Sequence, residues 1–427
     1  MSKLSLAIIL KNEEHYLKQC IESVAPIVSE IVAVDSGSKD LTIQILQDFS
    51  HSWRGSVKIT HRKWPDNFSD QRNFALSQVT GDWTLVLDAD ECILPAEHAK
   101  LKAAMNDTSV QAYCLTIRNY TPDPTEFGYQ RDPNGPYPQH GFVETNLHRL
   151  FQNKPEIRYE GILHERVEPS LERMNANTKP LEVTIHHFGK LKEKDLHLEQ
   201  SRYQFYEGLA RKKVAANSED AQAHWELGVV LQKQRRFDDA LLSFHKAHQL
   251  APHVEEFENY VALALFQRGD WNGLSQIEAQ STRAKAFKTL AEVQSDPQKI
   301  SALDCYRNEI SQMNLFIFEL ALKHKLTDRI DSDRKAAMDI FGSTGVVEYL
   351  EGVQRRRELN FAEAVRLLKE AYGKGWKRAA LELLIALNQQ SQFREALDFA
   401  EGMSANDRNA FGQDFETLYA YAKSHLR

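Results

Sequence analysis

Residues 84–91 read TLVLDADE, a mostly apolar run that ends in three acidic residues. The run predicts a buried strand from Thr84 to Leu87. Two carboxylates one residue apart after such a strand, Asp88 and Asp90, can hold a hard divalent cation such as Mg²⁺ or Mn²⁺ beside a diphosphate. An isolated Asp-x-Asp is more often a solvated turn, so the meaning of this stretch depends on its surroundings.

The chain on the N-terminal side of this stretch alternates apolar runs with amphipathic stretches, which predicts an α/β domain. Three further strands are predicted, at Leu4–Leu10, Ile31–Val34 and Val57–Thr60. Strands joined by crossover helices pair in parallel, and such open sheets bind ligands beyond the carboxyl ends of their strands. Asp35 and Asp88 both follow a predicted strand, so we expect them at one edge of the sheet.

The composition describes an ordinary globular protein. The 427 residues include 53 basic and 60 acidic side chains, for a net charge of -7, which gives no bulk footprint for nucleic acid. Four cysteines stand without a CxxC pair, which indicates reduced thiols and a cytoplasmic protein. No apolar run is long enough for a membrane span, and we expect no signal peptide.

Beyond about residue 190 the strand signals nearly vanish, which predicts two domains, 1–190 and 191–427. The second is expected to be all-helical. Its clearest unit, about 221–254, follows the 34-residue tetratricopeptide pattern, although Trp225 comes one place late. A weaker copy spans about 345–402. The matching positions are Leu227, Gly228, Ala240, Phe244, Ala247 and Pro252, and then Gly352, Ala364, Leu368 and Ala371. A generic helical bundle is the alternative, and a repeat array would offer a groove to a peptide or a second protomer.

Four motifs of the first domain resemble, in order, those of family-2 glycosyltransferases with the GT-A fold. They are AIILKNEE at residues 7–14, IVAVDSGSKDLT at 31–42, QRNFAL at 71–76 and GDW at 81–83 leading into DAD at 88–90. Each motif is weak alone, and together they are specific. The resemblance implies a glycosyltransferase that uses a nucleotide-sugar donor.

The resemblance also implies roles for individual residues. Glu13, Asp35 and Asp88 would face the nucleotide, Arg72 would reach its base or diphosphate, and Asp88 and Asp90 would hold the metal ion. The chemistry agrees, because a carboxylate accepts from ribose hydroxyls and a guanidinium forks onto phosphate. Glu13 could instead serve the helix dipole, and Arg72 could be an ordinary surface residue.

The end of the first domain resembles a bacterial subgroup that carries tetratricopeptide repeats and acts on lipopolysaccharide-core sugars or on peptides. The motifs are HRLF at 148–151, IRYEGILHERV at 157–167 and IHHFG at 185–189. Glu165 is the candidate base that takes the acceptor proton, with an ion pair to Arg166 or His164 as the alternative. His187 fits the subgroup's pattern as a metal ligand better than His186 does, although a lone histidine is more often structural.

The sequence therefore predicts a metal-dependent, inverting transferase that moves a hexose from a nucleotide sugar to a hydroxyl or thiol. The expected donor is a UDP-hexose, with Mn²⁺ or Mg²⁺. The acceptor is a peptide or protein or a lipopolysaccharide-type glycan, and the helical half could bind it, a protein partner or a second copy. The rivals are a non-catalytic scaffold and a sugar-nucleotide pyrophosphorylase, which needs a Gly-rich loop where this chain has Lys11–Glu14. A mobile loop at 119–140, with Tyr129 and Tyr137, is expected over the donor site.

Overall fold

The computed structural model describes residues 2–124, 126, 128–191, 196–307 and 310–426. The chain forms two compact units, and the second includes a segment from within the first domain. Unit 1 comprises Met1–Pro122 and Gln139–Ala264, and unit 2 comprises Asp123–Pro138 and Leu265–Arg427. The last long strand ends at His187 and helices follow, so secondary structure changes where the sequence indicates. The boundary at 190 stays a prediction, because unit 1 continues well into the helices.

Unit 1 is built on a mixed sheet with a parallel half. The strands along the chain are β1 (Leu4–Leu10), β2 (Glu30–Asp35), β3 (Ser56–His61), β4 (Trp83–Val86), β5 (Glu91–Ile93), β6 (Ala112–Thr121), β7 (Gln130–Arg131), β8 (Gly141–Gln152) and β9 (Thr178–His187). All of them except β7 lie in unit 1. The order across the sheet is β3-β2-β1-β4-β8-β6-β9-β5. The first four pair in parallel, β8 is antiparallel to β4 and β6, and β9 runs parallel to β6 but antiparallel to β5. The predicted α/β class is confirmed.

Helices cover the sheet because its central strands are apolar on both faces and must be buried on both. The helices of unit 1 are α1 (Leu17–Val24), α2 (Thr42–Ser52), α3 (Phe68–Leu76), α4 (His98–Ala104), α5 (Glu168–Arg173), α6 (Leu196–Ala216), α7 (Ala221–Lys233), α8 (Phe237–Leu250) and most of α9 (Glu255–Arg268). Short 3₁₀ turns lie at Pro95–Glu97 and Gly189–Leu191. Leu17, Ile21 and Val24 of α1 are buried in the main core.

Helices continue through unit 2. They are α10 (Trp271–Gln276), α11 (Thr282–Ser295), a 3₁₀ segment (Pro297–Tyr306), α12 (Met313–Lys323), α13 (Thr327–Phe341), α14 (Val346–Arg357), α15 (Phe361–Gly373), α16 (Ala379–Gln389), α17 (Phe393–Gly402) and α18 (Ala405–His425). None of the helices described in either unit is long and apolar enough to cross a membrane.

The two glycines of the tetratricopeptide pattern lie where neighbouring helices pack closely. A Cβ on Gly228 would collide with the ring of Phe244, and one on Gly352 would lie 2.8 Å from Cγ of Leu368, so each glycine lets two helices pack closely. The helix pairs turn at residues with positive φ: Arg235, Gly269, Lys325, Leu359 and Ser391. The interval is 34 residues from Arg235 to Gly269 and again from Lys325 to Leu359, and it lapses between these two stretches.

The segment 123–138 differs from the expected mobile loop over the donor site. Tyr129 is 2% exposed and its ring stacks on Phe341, with centroids 5.6 Å apart. The side-chain amide of Gln312 donates to the carbonyl of Glu126 over 2.6 Å. The segment is therefore part of the core of unit 2.

Candidate active site

Two loops that follow β1 and β2 are tied together at the edge of the parallel strands. Asn12 Oδ1 accepts from the Lys39 amide (2.8 Å), and the Glu13 amide donates to Thr42 Oγ1 (2.7 Å). The helix after β1 begins only at Leu17, so Asn12 is not its cap. Instead, Asn12 adopts a positive φ of 57° and holds the second loop in place. Glu13 thus has a well-defined backbone position, and its role toward a nucleotide stays a prediction.

Asp35 ends β2 and is 1% exposed. Its carboxylate accepts from the amides of Gly37 and Ser38, from Ser38 Oγ and from the His61 ring. Burial alone would raise the pKa of Asp35, but the hydrogen bonds from Ser38 and His61 outweigh it and lower that pKa. In the structure, the Asp35 carboxylate therefore stabilises the 36–38 turn, in which Gly37 has a φ of 98°. Contact with the nucleotide stays a prediction.

Three residues that the sequence selected from distant motifs meet in one cluster. Arg72 Nη2 donates to Asp88 Oδ1 over 2.7 Å, and Arg72 Nε donates to Glu165 Oε1 over 2.5 Å. Asn67 caps the start of α3 by accepting from the Asp70 amide, which sets the position of Arg72 one turn later. The partner that the structure gives the Glu165 carboxylate is Arg72, and its role as the base stays a prediction.

Two further residues complete this cluster, and neither was selected from the sequence. Arg149 Nη2 donates to Glu91 Oε1 (3.2 Å) and lies 3.4 Å from Asp88 Oδ2. Glu91 is 1% exposed and accepts from the Asp88 amide over 2.7 Å. Both residues stand inside motifs that the sequence does show. The available signals were the arginine of HRLF and the third acidic residue of DADE.

Burial and the two arginines set the charges of the cluster. Burial alone would raise the pKa of the Asp88 carboxyl, but Arg72 and Arg149 outweigh it and hold that pKa well below its ordinary value. Burial raises the pKa of Glu91, and Arg149 opposes the rise. Tyr159, beside Arg72, has its pKa raised to about 12 by burial. Asp88 is therefore the anionic centre of the cluster, and its side chain is 31% exposed.

Asn73 explains how the 157–167 stretch reaches this cluster. Its Oδ1 accepts from the Tyr159 amide and its Nδ2 donates to the Tyr159 carbonyl, both over 2.8 Å. The pair of bonds attaches the stretch to α3 next to Arg72. The two residues of the Arg-Asn motif thus have different roles. Arg72 supplies positive charge, and Asn73 holds the stretch that includes Glu165.

The cluster leaves hydrogen-bonding capacity unused. Arg72 Nη1 and Arg149 Nε are buried and have no hydrogen-bond partner among the residues that the structure describes. An unpaired buried donor costs about 1–3 kcal/mol, so such atoms are rare away from functional sites. Two unpaired guanidinium nitrogens beside a partly exposed carboxylate indicate a site that accepts an anion.

Asp90, just before β5, and His187, at the end of β9, form a second pair. Asp90 Oδ1 lies 3.3 Å from His187 Nε2, and β5 and β9 place Glu91 opposite His187. Burial alone would lower the pKa of His187, but the hydrogen bond to Asp90 and the charges of Glu91, Asp90 and Asp88 outweigh it and raise that pKa. Gly189 leaves this space open, since a Cβ there would lie 2.7 Å from His187 Nε2 and 2.8 Å from Asp90 Oδ2.

The donor set of this pair suits a divalent metal ion. His187 Nδ1 lies 2.7 Å from Asn119 Oδ1, and the Asn119 amide nitrogen is directed at the Ile117 and Val143 carbonyls, so Nδ1 carries the proton toward Asn119 and Nε2 faces Asp90. A carboxylate oxygen and an imidazole nitrogen suit Mn²⁺ or Mg²⁺ when phosphate and water supply the other positions. Within the described ranges no group of three His, Cys, Asp or Glu side chains could hold a metal ion by itself.

The third predicted metal ligand, Asp88, and the alternative histidine, His186, have other hydrogen-bond partners in the structure. The Asp88 carboxylate bonds to arginines, so its role as a ligand stays a prediction that would need Asp88 to turn away from Arg72 and Arg149. His186 is 2% exposed and its Nδ1 lies 2.7 Å from the Tyr120 hydroxyl, and burial lowers its pKa to about 4. Of the two histidines, His187 is therefore the one beside Asp90.

One protein family and several known proteins are similar to part of this chain. The family "Glycosyl transferase family 2" matches residues 5–177. A TPR repeat-containing protein of Synechococcus elongatus is 30% identical over 195 residues, 44% of this chain and 43% of that protein. The glycosyltransferase SunS of Bacillus subtilis is 25% identical over 163 residues, 38% of this chain and 34% of that protein. A lipopolysaccharide core biosynthesis glycosyltransferase, LpsC of Rhizobium meliloti, is 40% identical over 89 residues, 21% of this chain and 32% of that protein. The matches span less than half of each relative's length.

Proposed function

We propose that the protein, whose residues 5–177 match glycosyl transferase family 2, is a metal-dependent, inverting hexosyltransferase. Its donor is a nucleotide sugar, with UDP as the nucleotide, and its acceptor offers a hydroxyl or a thiol. The observation that carries the proposal is the convergence of Arg72, Asp88 and Glu165 with Arg149 in one buried cluster that retains unpaired guanidinium nitrogens.

The two arginines suit the donor diphosphate. When the sugar–phosphate bond breaks, negative charge develops on the leaving nucleoside diphosphate, and positioned guanidinium groups stabilise it. In this role Arg72 and Arg149 exchange part of their bonding to Asp88 for bonding to phosphate oxygens. Asp88, which is the most exposed carboxylate of the cluster, then becomes available to the ribose hydroxyls or to the metal ion.

Glu165 is the proposed base. In the transfer, the acceptor oxygen or sulfur forms a bond to the anomeric carbon, the bond from that carbon to the phosphate oxygen breaks, and Glu165 takes the acceptor proton. A single displacement of this kind inverts the anomeric configuration. Glu165 is attached through Arg72 to the donor side of the site, so its position responds to donor binding.

Asp90 and His187 are the proposed metal ligands from the protein. A divalent ion held there would neutralise charge on the donor diphosphate. Asn119 supports this role by directing the Nε2 atom of His187 toward Asp90. Donor phosphates and water would complete the coordination, which is usual where protein ligands are few.

The acceptor class follows from two separate considerations. The relative LpsC, by its name, acts in lipopolysaccharide core biosynthesis, and it is 40% identical to this chain over 89 residues. The helix pairs built around Gly228 and Gly352 form the kind of array that binds extended peptides. We therefore propose a peptide or protein, or a lipopolysaccharide-type glycan, as the acceptor.

A donor screen tests the function. Purified protein with Mn²⁺ is incubated with UDP-hexoses, and with GDP- and dTDP-sugars for comparison, and nucleotide release is followed by mass spectrometry. We expect release from a UDP-hexose that stops when a chelator is added. Calorimetry with UDP and Mn²⁺ distinguishes an enzyme from a non-catalytic scaffold. A scaffold with an inactive site would give neither nucleotide release nor metal-dependent heat. Whole-cell proteins and lipopolysaccharide from a strain without the gene then report which acceptor loses its glycan.

A further inference from the structure

We propose that the first helices after the sheet, α6 and α7, belong to the catalytic apparatus, and that the ion pair of Lys213 and Glu226 positions the loop that carries Glu165. The loop in question is residues 160–166. The inference rests on the proposed function, because it explains how the proposed base is held in place. It assigns the start of the helical half a role other than acceptor docking.

The backbone conformation of the 160–166 loop is unfavourable on its own. Gly161 has a φ of 102° and His164 has a φ of 52°, so the backbone enters the left-handed region twice, once at a residue with a Cβ. A non-glycine residue in that region costs on the order of 1 kcal/mol and persists where its surroundings enforce it. The ends of the loop are closed by the amides and carbonyls of Glu160 and Arg166, bonded over 2.8 and 2.9 Å.

The loop is held from two directions. On one side Glu165 bonds to Arg72, as described above. From α6, Lys213 comes close to the loop backbone, since a Cβ on Gly161 would lie 3.8 Å from its Nζ. From α7, the indole of Trp225 lies beside the His164 ring, with centroids 6.1 Å apart. These helices belong to the same compact unit as the loop, because unit 1 extends to Ala264.

The Lys213–Glu226 pair has features of a group retained for position. Lys213 Nζ lies 2.7 Å from Glu226 Oε1, and the side chains are 16% and 1% exposed. Glu226 Oε2 is buried and has no hydrogen-bond partner among the described residues. Burying a half-satisfied ion pair brings little net stability. The feature that points to a positional role is the place of Lys213 beside the loop backbone at Gly161.

The sequence departs from the tetratricopeptide pattern at the same place. The pattern expects its tryptophan one position before Trp225, whereas Leu227 and Gly228 occupy their usual positions. The shift puts the indole on the part of α7 that faces His164. Departures from an otherwise consistent pattern concentrate at functional sites.

Unit 2 contains a matched pair for comparison. Lys374 Nζ lies 2.7 Å from Oε1 of Glu348, whose side chain is 3% exposed and whose Oε2 likewise has no partner among the described residues. Lys374 is 31% exposed and also pairs with Glu370, so Lys374→Met removes a similar but more exposed lysine–glutamate pair from unit 2. It serves as the control for loss of a lysine charge beside a buried glutamate.

The experiment compares the full-length wild type with Lys213→Met, Lys213→Arg and Lys374→Met. Amide hydrogen exchange is followed at Glu160 and Arg166, UDP binding is measured by calorimetry with Mn²⁺, and UDP release from UDP-glucose is measured as kcat and KM. If the donor screen identifies another UDP-hexose, that donor replaces UDP-glucose. Should Lys213→Met not fold, Trp225→Leu takes its place with the same expected direction.

We expect Lys213→Met to speed exchange at Glu160 and Arg166 by about tenfold or more and to lower kcat about 10- to 100-fold, because small displacements of a reacting group are costly. UDP binding should stay within about twofold, and Lys213→Arg should restore most of kcat. Lys374→Met should leave exchange at the loop and kcat unchanged.

Unchanged exchange and unchanged kcat in Lys213→Met would overturn the inference, as would an equal loss of kcat in Lys374→Met. Failure of the proposed function gives a different result: the wild type then releases no nucleotide and binds no UDP, while the exchange measurement still decides whether Lys213 holds the loop.

Discussion

Each compact unit contains two arginines among buried and partly exposed carboxylates, and the two clusters differ in how completely their arginines pair. In unit 2, Arg307 bonds through Nε to Asp304 (2.9 Å), through Nη2 to Asp333 (2.5 Å) and through Nη1 to Asn314 (3.0 Å). Arg329 joins the same two carboxylates. All three nitrogens of Arg307 have partners, so the cluster satisfies itself and holds its helices together.

The cluster of unit 1 has more carboxylates and yet leaves two guanidinium nitrogens unpaired, one each on Arg72 and Arg149. Structural networks are expected to satisfy their members, because each unpaired buried atom costs free energy. Unpaired buried atoms also occur in unit 2, for example Glu348 Oε2, but among the residues that the structure describes only the unit 1 cluster combines unpaired guanidinium nitrogens with a partly exposed carboxylate, and we propose that an anionic ligand completes it. The comparison predicts that changes in unit 1 will affect activity and changes in unit 2 will affect stability.

The largest expected effect is on Arg72. In Arg72→Lys the charge remains, but the fork that joins Asp88 to Glu165 is lost, so the base and the diphosphate site separate. We expect kcat to fall about 100- to 1000-fold, which corresponds to roughly 3–4 kcal/mol of transition-state stabilisation. Initial rates of nucleotide release from the identified donor measure it.

The matched change in unit 2 is Arg329→Lys. It should lower the free energy of unfolding by about 2 kcal/mol, because Asp333 keeps Arg307 while losing one partner. Activity per folded molecule should stay at the wild-type value. The comparison fails if Arg329→Lys loses activity as Arg72→Lys does, or if Arg72→Lys retains activity within tenfold.

The next effect concerns the metal pair. Asp90→Asn removes the anionic ligand while keeping the size of the side chain, and we expect activity to fall about 100-fold at a fixed Mn²⁺ concentration. Asn119→Leu acts only through the orientation of His187 and should weaken the apparent Mn²⁺ affinity about tenfold, with partial recovery at high Mn²⁺. Activity titrations with Mn²⁺ distinguish the two, and full activity of Asp90→Asn would remove Asp90 from the metal site.

A third effect tests whether the 123–138 segment belongs to the core of unit 2. Tyr129→Ala should lower the free energy of unfolding by about 3 kcal/mol, because it empties a space against Phe341. Denaturant unfolding measures it, with Phe341→Leu as a milder change at the same contact. If the free energy of unfolding changed by less than about 0.5 kcal/mol, the segment would be a surface loop, as the sequence suggested.

The places of Asp35 and Asp88 in the fold were predictable because both follow apolar strands, whereas Arg72 and Glu165 were selected through the family resemblance. The predicted strand Leu4–Leu10 has the observed bounds, and Asp88 follows β4, so parallel pairing alone brings these loop ends together. Arg149 was not predictable in this way. It lies on β8, an antiparallel strand that returns some 60 residues after Asp88, and its partners depend on a register that no local pattern reveals.

Two parts of the helical region were also hidden from the sequence. The residues that turn the helix pairs with positive φ include Arg235, Lys325, Leu359 and Ser391, none of which is the glycine or asparagine that usually indicates such a backbone. The 34-residue interval is therefore visible only in the backbone. Tyr129 stands in a Pro- and Gly-rich stretch without periodicity, and its burial is decided by contacts with α13, more than 200 residues away.

The last effect is a pH dependence of stability that Glu226 produces. Burial raises the pKa of Glu226 to about 7 from an ordinary value of 4.5, although Lys213 opposes the rise. Between these two values the native state binds more protons than the unfolded state, so the free energy of unfolding falls as the pH rises from about 4.5 to 7. The full difference is about 3 kcal/mol at most. Glu226→Gln should remove this slope while still accepting a hydrogen bond from Lys213, so the variant gains stability over the wild type from pH 5 to pH 8. Denaturant unfolding at several pH values measures it, and parallel pH profiles for the two proteins would show that Glu226 is ionised in the fold as readily as in the unfolded chain.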